Sequence, residues 1–283
     1  MTRAHPRVAV FPKCYFDQLT RGEMDYVSWV RSAATLGAEG IEHYDGFFRS
    51  LDDAGVDPVI EAMAGTGQVS SMLCFSPDFT HPDAGERARQ VERQRTAIDL
   101  AVRLGTRFCR TLSGQQRPGL TRDEGIGRTV EGLRRSLDYA ERRDVVLCLE
   151  NHFKDGTWQF PEFAQPEAIF LELLERVESP HLGVQYDPSN ALVGGYDPIR
   201  FLEKVMPRVV TMHASDRYFV DGELRHGETG KGQIDYDAIF RILAAGGFAG
   251  WISVEDGMNG LDEMRRSVDF LKAKRALYYE GAR

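Results

Sequence analysis

The chain of 283 residues carries 35 lysines and arginines against 43 aspartates and glutamates, a formal net charge of −8 at pH 7. This acidic balance argues against a nucleic-acid backbone as the main partner, because such a partner requires a basic face on the protein. A hydrophobic content of 42% is enough for a large core, and no apolar run is long enough to span a bilayer.

The N-terminus and the cysteines indicate a cytoplasmic protein with no membrane attachment. Residues 1–6 contain no apolar signal region, so secretion is not expected. The cysteines are widely spaced and form no CxxC motif, so we expect them to be reduced thiols that are mostly buried in strands. They are Cys14, Cys74, Cys109 and Cys148.

Short apolar runs alternate with helical patterns along the whole chain. The predicted helix over 58–64 opens with a proline in its first turn, and the helix over 121–143 has acidic residues in its first turn and arginine in its last. The predicted strands are 8–11, 40–44, 69–75, 107–112, 145–152, 182–187, 209–213 and 251–255. The predicted helices are 24–38, 58–64, 83–104, 121–143, 166–177, 198–205, 236–245 and 263–279.

This alternation predicts an α/β fold, a single (β/α)8 TIM barrel in which residues 1–283 form one catalytic domain. Strands that alternate with helices must be parallel and joined by helical crossovers. No Pro/Gly/Ser linker divides the chain. Cys148, Gln185, Thr211 and Ser253 place small or polar side chains on one face of their strands, which suits a narrow barrel interior. Barrel enzymes carry their chemistry at the C-terminal ends of the strands.

Four consecutive predicted strands end in a residue type that binds metals: Glu150, Asp187, His213 and Glu255. A carboxylate that closes an apolar strand is costly unless it is paired, and three carboxylates packed together would repel each other without a cation. The oxygen-rich donor set favours a divalent metal, foremost Mn²⁺, with Mg²⁺, Co²⁺ or Zn²⁺ as alternatives. No organic cofactor is expected. Taken singly, each acid could instead cap a helix or form a salt bridge.

The order Glu, Asp, His, Glu on strands five to eight resembles the xylose-isomerase-like TIM barrel superfamily, and in particular its sugar phosphate isomerase/epimerase branch. Two later stretches share this similarity, GKGQIDY at 230–236 and GWISVE at 250–255. The resemblance implies that Glu150, Asp187, His213 and Glu255 are metal ligands of an isomerase or epimerase of a small carbohydrate. It also implies that Glu150 and Glu255 exchange a proton on opposite faces of the substrate, which agrees with metal-assisted acid–base chemistry.

The chain departs from the ketose epimerases at one position, because Asn190 stands where they usually carry a histidine. Asn190 can still donate a hydrogen bond to a substrate hydroxyl. His152 offers a titratable group near the metal, or it is a loop histidine bonded by backbone. The stretches ENHFKDG at 150–156 and WQFPEFAQ at 158–165 also resemble the α subunits of C-glycoside deglycosidases. That resemblance implies a lyase that acts on 3-keto glycosides by elimination, with His152 as a candidate base and a small β subunit as partner.

Further polar and aromatic side chains are candidates for the substrate pocket. Arg217 either holds a substrate hydroxyl or carboxylate or is a solvated loop arginine, and Lys231 lies in a GKG stretch that is a weak phosphate-binding signal. Glu42 and Arg110 end the second and fourth predicted strands, and they either line the pocket or form structural ion pairs between neighbouring loops. The remaining candidates for substrate contact lie in the loop after the fifth strand: Lys154 and Trp158.

Two other function classes remain as alternatives to the isomerase and the lyase. A DNA-repair endonuclease of the same superfamily is disfavoured by the acidic charge and by the lack of further histidines at strand ends. A non-catalytic sugar-binding module is disfavoured because all four metal-ligand residue types are retained. The oligomeric state is left open between a homo-oligomer and, for the lyase, a hetero-oligomer.

Overall fold

A computed structural model describes residues 4–256 and 259–281 of the chain. The strands in chain order are β1 Arg7–Val10, β2 Gly40–Tyr44, β3 Val69–Cys74, β4 Phe108–Thr111, β5 Val146–Glu150, β6 Leu182–Tyr186, β7 Val209–Ala214, β8 Asp216–Val220, β9 Glu223–Gly227 and β10 Trp251–Val254. The α-helices are α1 Phe16–Thr20, α2 Tyr26–Ala33, α3 Asp53–Thr66, α4 Ala84–Arg103, α5 Arg122–Arg142, α6 Glu167–Arg176, α7 Pro188–Val193, α8 Pro198–Val205, α9 Tyr236–Ala245 and α10 Leu261–Arg275.

Eight of these strands form a closed parallel barrel, which confirms the predicted (β/α)8 fold. The strands follow one another around the barrel as β1 to β7 and then β10, and β10 pairs with β1 to close it. Helices connect successive strands, as parallel pairing requires. The remaining strands, β8 and β9, form an antiparallel hairpin outside the barrel. None of the helices within 4–256 and 259–281 has the length and apolar character that crossing a membrane would require.

Small and polar side chains fill the barrel interior, as the sequence predicts. Cys148 and Gln185 are fully buried, and Thr211 and Ser253 are almost so. Thr211 Oγ1 on β7 lies 3.7 Å from Met72 Sδ on β3, so side chains from opposite sides of the barrel meet at its axis. The core is therefore a packed interior and not a pore.

Several predicted boundaries and connections differ from the structure. β5 ends at Glu150, so the predicted strand over 145–152 was too long and His152 lies in a loop. α3 begins at Asp53 and not at Pro58, because Asp52 caps it by accepting a hydrogen bond from Gly55 N. Pro58 therefore lies inside the helix and not in its first turn. The short helices α1 and α7 and the hairpin were not predicted.

Two glycines of α5 meet different surroundings, and this predicts opposite effects on stability. A Cβ on Gly132 would lie 2.4 Å from the Phe79 ring, whereas a Cβ on Gly127 would meet nothing within 4 Å. We expect Gly132→Ala to lower the free energy of unfolding by roughly 1–3 kcal/mol through overpacking. Gly127→Ala should raise it by about 0.4–1 kcal/mol, since alanine restricts the unfolded chain. Urea denaturation of both variants checks this, and equal effects would contradict the packing of α5 on Phe79.

Candidate metal centre

The four predicted metal ligands meet at the C-terminal mouth of the barrel. Glu150 is the last residue of β5, Asp187 follows β6, His213 lies near the end of β7, and Glu255 follows β10. These strands are neighbours in the barrel, so their ends converge. One ligand atom from each residue lies within 4.8 Å of the others, and all four side chains are buried. The structure thus brings the predicted set together, while its binding of a metal stays a prediction.

His213 lies at the centre of this cluster with one ring nitrogen towards each of two groups of acids. Its Nδ1 is 3.0 Å from Glu150 Oε1, 3.3 Å from Glu255 Oε2 and 3.9 Å from Asp187 Oδ2. Its Nε2 is 2.6 Å from Glu42 Oε1. Because a carboxylate accepts only, Nε2 must donate to Glu42. This leaves Nδ1 as the atom that would bind a metal, and Glu42 as the outer partner that fixes the ring.

Charge around His213 supports a cation at this place. Burial lowers the pKa of His213, but Glu42, Glu255 and Glu150 outweigh it and hold the pKa well above its ordinary value. Burial, followed by the charges of Glu255 and Glu150, raises the pKa of Asp187. Both shifts come from acids packed closely together, a repulsion that a divalent cation would relieve, so the donor set fits a divalent cation.

The two carboxylate oxygens of Asp187 have different partners. Oδ1 caps α7 by accepting hydrogen bonds from Ser189 N at 2.7 Å and Asn190 N at 3.0 Å, and it accepts a third from Ser215 Oγ at 2.8 Å. Oδ2 faces His213. The capping that the sequence offered as an alternative is therefore present, and it orients the oxygen that remains for a metal.

In Glu150 and Glu255, the carboxylate oxygen that points away from His213, here called the outer oxygen, contacts a cationic side chain. Arg110 Nη1 is 3.0 Å from Glu150 Oε2, and Lys13 Nζ is 3.0 Å from Glu255 Oε1. Burial raises the pKa of Glu150, but His213, His152 and Arg110 outweigh it and lower the pKa to about 2. For Glu255, burial is likewise outweighed by Lys13 and His213, and its pKa is lowered. Both carboxylates are ionised at neutral pH, and their outer oxygens are already bound.

A cleft of about 360 Å³ opens to solvent beside the cluster. Glu255 and the predicted residues Arg110, His152 and Lys154 line it, together with the Phe11 and Phe16 rings. Its volume is at the lower end of the range of small-molecule sites. The cleft gives a substrate access to the cluster from the face where barrel enzymes bind their substrates.

His152 lines this cleft and is paired on its inner side with Glu162, a residue that the sequence did not single out for the site. Nδ1 of His152 lies 3.3 Å from Glu162 Oε2, in ion-pair contact without an aligned hydrogen bond. The other Glu162 oxygen is fixed by Ser113 N and Ser113 Oγ, at 2.8 and 2.9 Å. Burial lowers the pKa of His152, but Glu150 and Glu162 outweigh it and raise the pKa. The backbone contacts proposed as an alternative are not the ones found.

The remaining predicted substrate residues occupy different surroundings. Asn190 Nδ2 lies 3.4 Å from Glu150 Oε1, so it contacts the cluster itself. Arg217 lies on the hairpin, half-buried. Trp158 is 8% exposed and packs within its loop without lining the cleft. Substrate contact by these residues stays a prediction.

Two sequence interpretations change with the structure. The backbone N–H groups of Gly230 and Gly232 donate to Asp216 Oδ2 at 3.0 and 2.9 Å, so the GKG stretch holds a carboxylate of the chain and is not open to a phosphate. Glu42 pairs with His213 inside the barrel and not with a neighbouring loop. Lys13 was not predicted at all, because nothing in its local sequence indicates Glu255, 242 residues away, as its partner.

Comparison with known proteins identifies relatives along almost the whole chain. Residues 30–274 match the family model described as xylose isomerase-like TIM barrel. The L-ribulose-5-phosphate 3-epimerase UlaE of Salmonella paratyphi C is 24% identical over 276 residues, which cover 93% of this chain and 94% of that protein. The hydroxypyruvate isomerase of Escherichia coli is 22% identical over 249 residues, or 83% of this chain and 88% of that one.

Among solved structures, a D-tagatose 3-epimerase-like protein superposes with a TM-score of 0.81 at 19% sequence identity. The alignment covers 98% of this chain and 100% of that chain. At this identity the likeness shows the shared fold alone.

The contact between Glu42 and His213 predicts a loss of metal affinity when Glu42 is changed. Glu42→Gln removes the charge that orients the ring, and we expect the Kd for Mn²⁺ to rise roughly 10–100-fold. Glu61→Gln, an exposed substitution on α3 that removes the same charge, serves as the control and should leave the Kd unchanged. Titration calorimetry on folded protein measures both, and an unchanged Kd in Glu42→Gln would contradict the assigned orientation of His213.

Proposed function

The chain belongs to the xylose isomerase-like TIM barrel family, and we propose from this premise that it is a divalent-metal-dependent isomerase or epimerase of a small carbohydrate. The observation that carries the proposal is the buried cluster of Glu150, Asp187, His213 and Glu255, whose ligand atoms lie within 4.8 Å of one another at the barrel mouth. The names of its relatives, which are sugar epimerases and isomerases, favour the same class.

The four clustered residues are proposed as the ligands, with Mn²⁺ as the expected metal because three of the four donors are carboxylates. Bound there, a divalent metal would polarise the carbonyl and hydroxyl of a sugar and make the adjacent C–H acidic. Glu150 and Glu255 are proposed to take and return the proton. They follow strands separated by β6 and β7 in the barrel, so they approach the cluster from two sides.

Arg110 and Lys13 are proposed to hold the two glutamates ionised and to bind substrate oxygens. Each cation now occupies the outer oxygen of one glutamate. A glutamate can accept a proton on that oxygen only after its cation has moved to another acceptor, and a sugar hydroxyl entering the cleft supplies one. Proton transfer is thereby coupled to substrate binding. Asn190, Arg217, Lys154 and Trp158 remain the proposed further substrate contacts.

A lyase acting on 3-keto glycosides is the second candidate, and the pair of His152 and Glu162 favours it. The ring lines the cleft, and its Nε2 has no hydrogen-bond partner among the residues that the structure describes. His152 therefore presents a ring nitrogen to the cleft that no cation contacts, in contrast to the two glutamates. Under this candidate a small β subunit is the expected partner. Under the first candidate the expected assembly is a homo-oligomer.

We further propose one catalytic domain over residues 1–283 and a cytoplasmic location. The four cysteines are free, and three of them are buried, which is typical of a protein kept under reducing conditions.

Substitutions at the cluster should separate metal binding from proton transfer. Asp187→Ala and His213→Ala are expected to lose metal and activity together, because each removes a ligand that water does not replace in charge or direction. Glu150→Gln and Glu255→Gln should lose activity more than metal, since an amide oxygen still ligates weakly but accepts no proton at neutral pH. Elemental analysis and solvent-deuterium exchange at the substrate carbon measure the two properties. Stoichiometric metal in the first pair, or wild-type exchange in the second, would contradict the proposal.

His152→Ala distinguishes the two candidate functions. In the isomerase it should mainly raise KM through loss of a hydroxyl contact worth about 1 kcal/mol. In the lyase it should lower kcat about 10²–10⁴-fold with metal still bound. Steady-state kinetics on a ketose and on a 3-keto glycoside measure both, with His181→Ala, a histidine outside the cleft, as the control. A collapse of kcat confined to the 3-keto glycoside would favour the lyase over the isomerase.

A further inference from the structure

The hairpin of β8 and β9 lies between β7 and α9 and is firmly attached at its base. Both oxygens of Asp216 accept backbone hydrogen bonds, from Gly230, Gly232 and Ile234 at 2.9–3.1 Å. A Cβ on Gly232 would lie 2.3 Å from Arg217 O, so the returning chain packs directly against the hairpin. Its turn is Asp221-Gly222, with positive φ at both residues, as a two-residue hairpin turn requires.

One face of the hairpin is turned towards the cleft. Arg217 is paired with His226, and Phe219 with Leu224; opposite partners share a face, and so do residues two apart. His226 lines the cleft beside Glu255 and Lys13. On β9, Leu224 and His226 are half-buried whereas Glu223 and Arg225 are exposed, which confirms that this face is the inner one.

The polar half of this face has hydrogen-bonding groups without partners. Nε of Arg217 and Nδ1 of His226 are both buried and unbonded, and the Arg217 guanidinium forms no ion pair within residues 4–256 and 259–281. Buried polar atoms are normally satisfied, so unbonded ones beside a cleft are available to bond a ligand. Hydroxyl groups of a bound sugar would provide the partners.

The outer half of the same face is apolar and uncovered. Phe219 is 62% exposed, more than any other large apolar side chain within the described ranges, and Leu224 lies opposite it. The stripe therefore runs from His226 in the cleft, past Arg217, to the Phe219 ring two residues nearer the turn of the hairpin.

We propose that Phe219 and Leu224 form a subsite for a second ring, so that the substrate is a glycoside whose first ring lies near the metal cluster and whose second ring packs on the hairpin. This rests on the proposed carbohydrate function and deepens it by naming the substrate class. A monosaccharide or a sugar phosphate would leave Phe219 uncovered. The flat apolar face of the second ring, whether sugar or aryl, is what the Phe219 ring recognises.

Titration calorimetry on the Mn²⁺-loaded protein tests this with three probes: methyl β-D-glucopyranoside, phenyl β-D-glucopyranoside and cellobiose. We expect at least one two-ring probe to bind about 3–10-fold more tightly than the methyl glycoside. Phe219→Ala should abolish this advantage. Val220→Ala is the matched control, because Val220 is the next residue, is also exposed, and points to the other face of the hairpin. It should keep the advantage.

Equal affinities for all three probes, or equal losses in both variants, would overturn the subsite. The comparison of phenyl glycoside with cellobiose tells which kind of ring is preferred. Assays of D-allulose and L-ribulose epimerisation and of 3-keto glycoside conversion are run alongside. Absence of all three activities with an intact Phe219-dependent preference would remove the proposed enzyme and keep the subsite. Activity without a Phe219-dependent preference would keep the proposed enzyme and remove the subsite.

Discussion

Three carboxylates and an imidazole packed within 4.8 Å and out of water are the constraint on which the rest of this structure depends. The three carboxylates repel one another unless positive charge lies close to them. The chain supplies some of it from distant elements, with Lys13 on Glu255 and Arg110 on Glu150. The surrounding acids also raise the pKa of His213. A divalent cation would complete the balance, and this is why we propose the cluster as a metal centre.

The barrel is what makes this cluster possible. Parallel strands deliver their C-terminal ends to one mouth, so four residues spread from position 150 to 255 converge. Positioning then comes from hydrogen bonds: Asp187 is oriented by the start of α7 and by Ser215, and His213 by Glu42 on β2. The same cations that hold the glutamates ionised also contact one oxygen of each. Under the proposed mechanism a substrate would rearrange these contacts before either glutamate acts, whereas no cation contacts His152 Nε2 in the described residues.

The sequence was sufficient for the fold and for the four clustered residues, because both follow from periodic patterns and from the ends of strands. It was not sufficient for Lys13, Glu42 and Glu162, whose partners lie far away along the chain or in another loop and leave no local pattern. Asp52 and the hairpin are different. A helix-capping aspartate and an Asp-Gly turn between apolar residues are readable signals. Here Pro58 and the regular barrel repeat give competing signals that point to a later helix start and to an uninterrupted repeat. The hairpin is also where the proposed second subsite lies.

The most direct test of the metal centre is anomalous diffraction from crystals of the Mn²⁺-loaded protein, recorded on both sides of the manganese edge. We expect one peak bound by Glu150, Asp187, Glu255 and Nδ1 of His213. Glu42, Cys74 and His213 form a second group of ligand types within the same distance limit. A peak bound there through Nε2 of His213, or no peak at either place, would contradict the proposed metal centre.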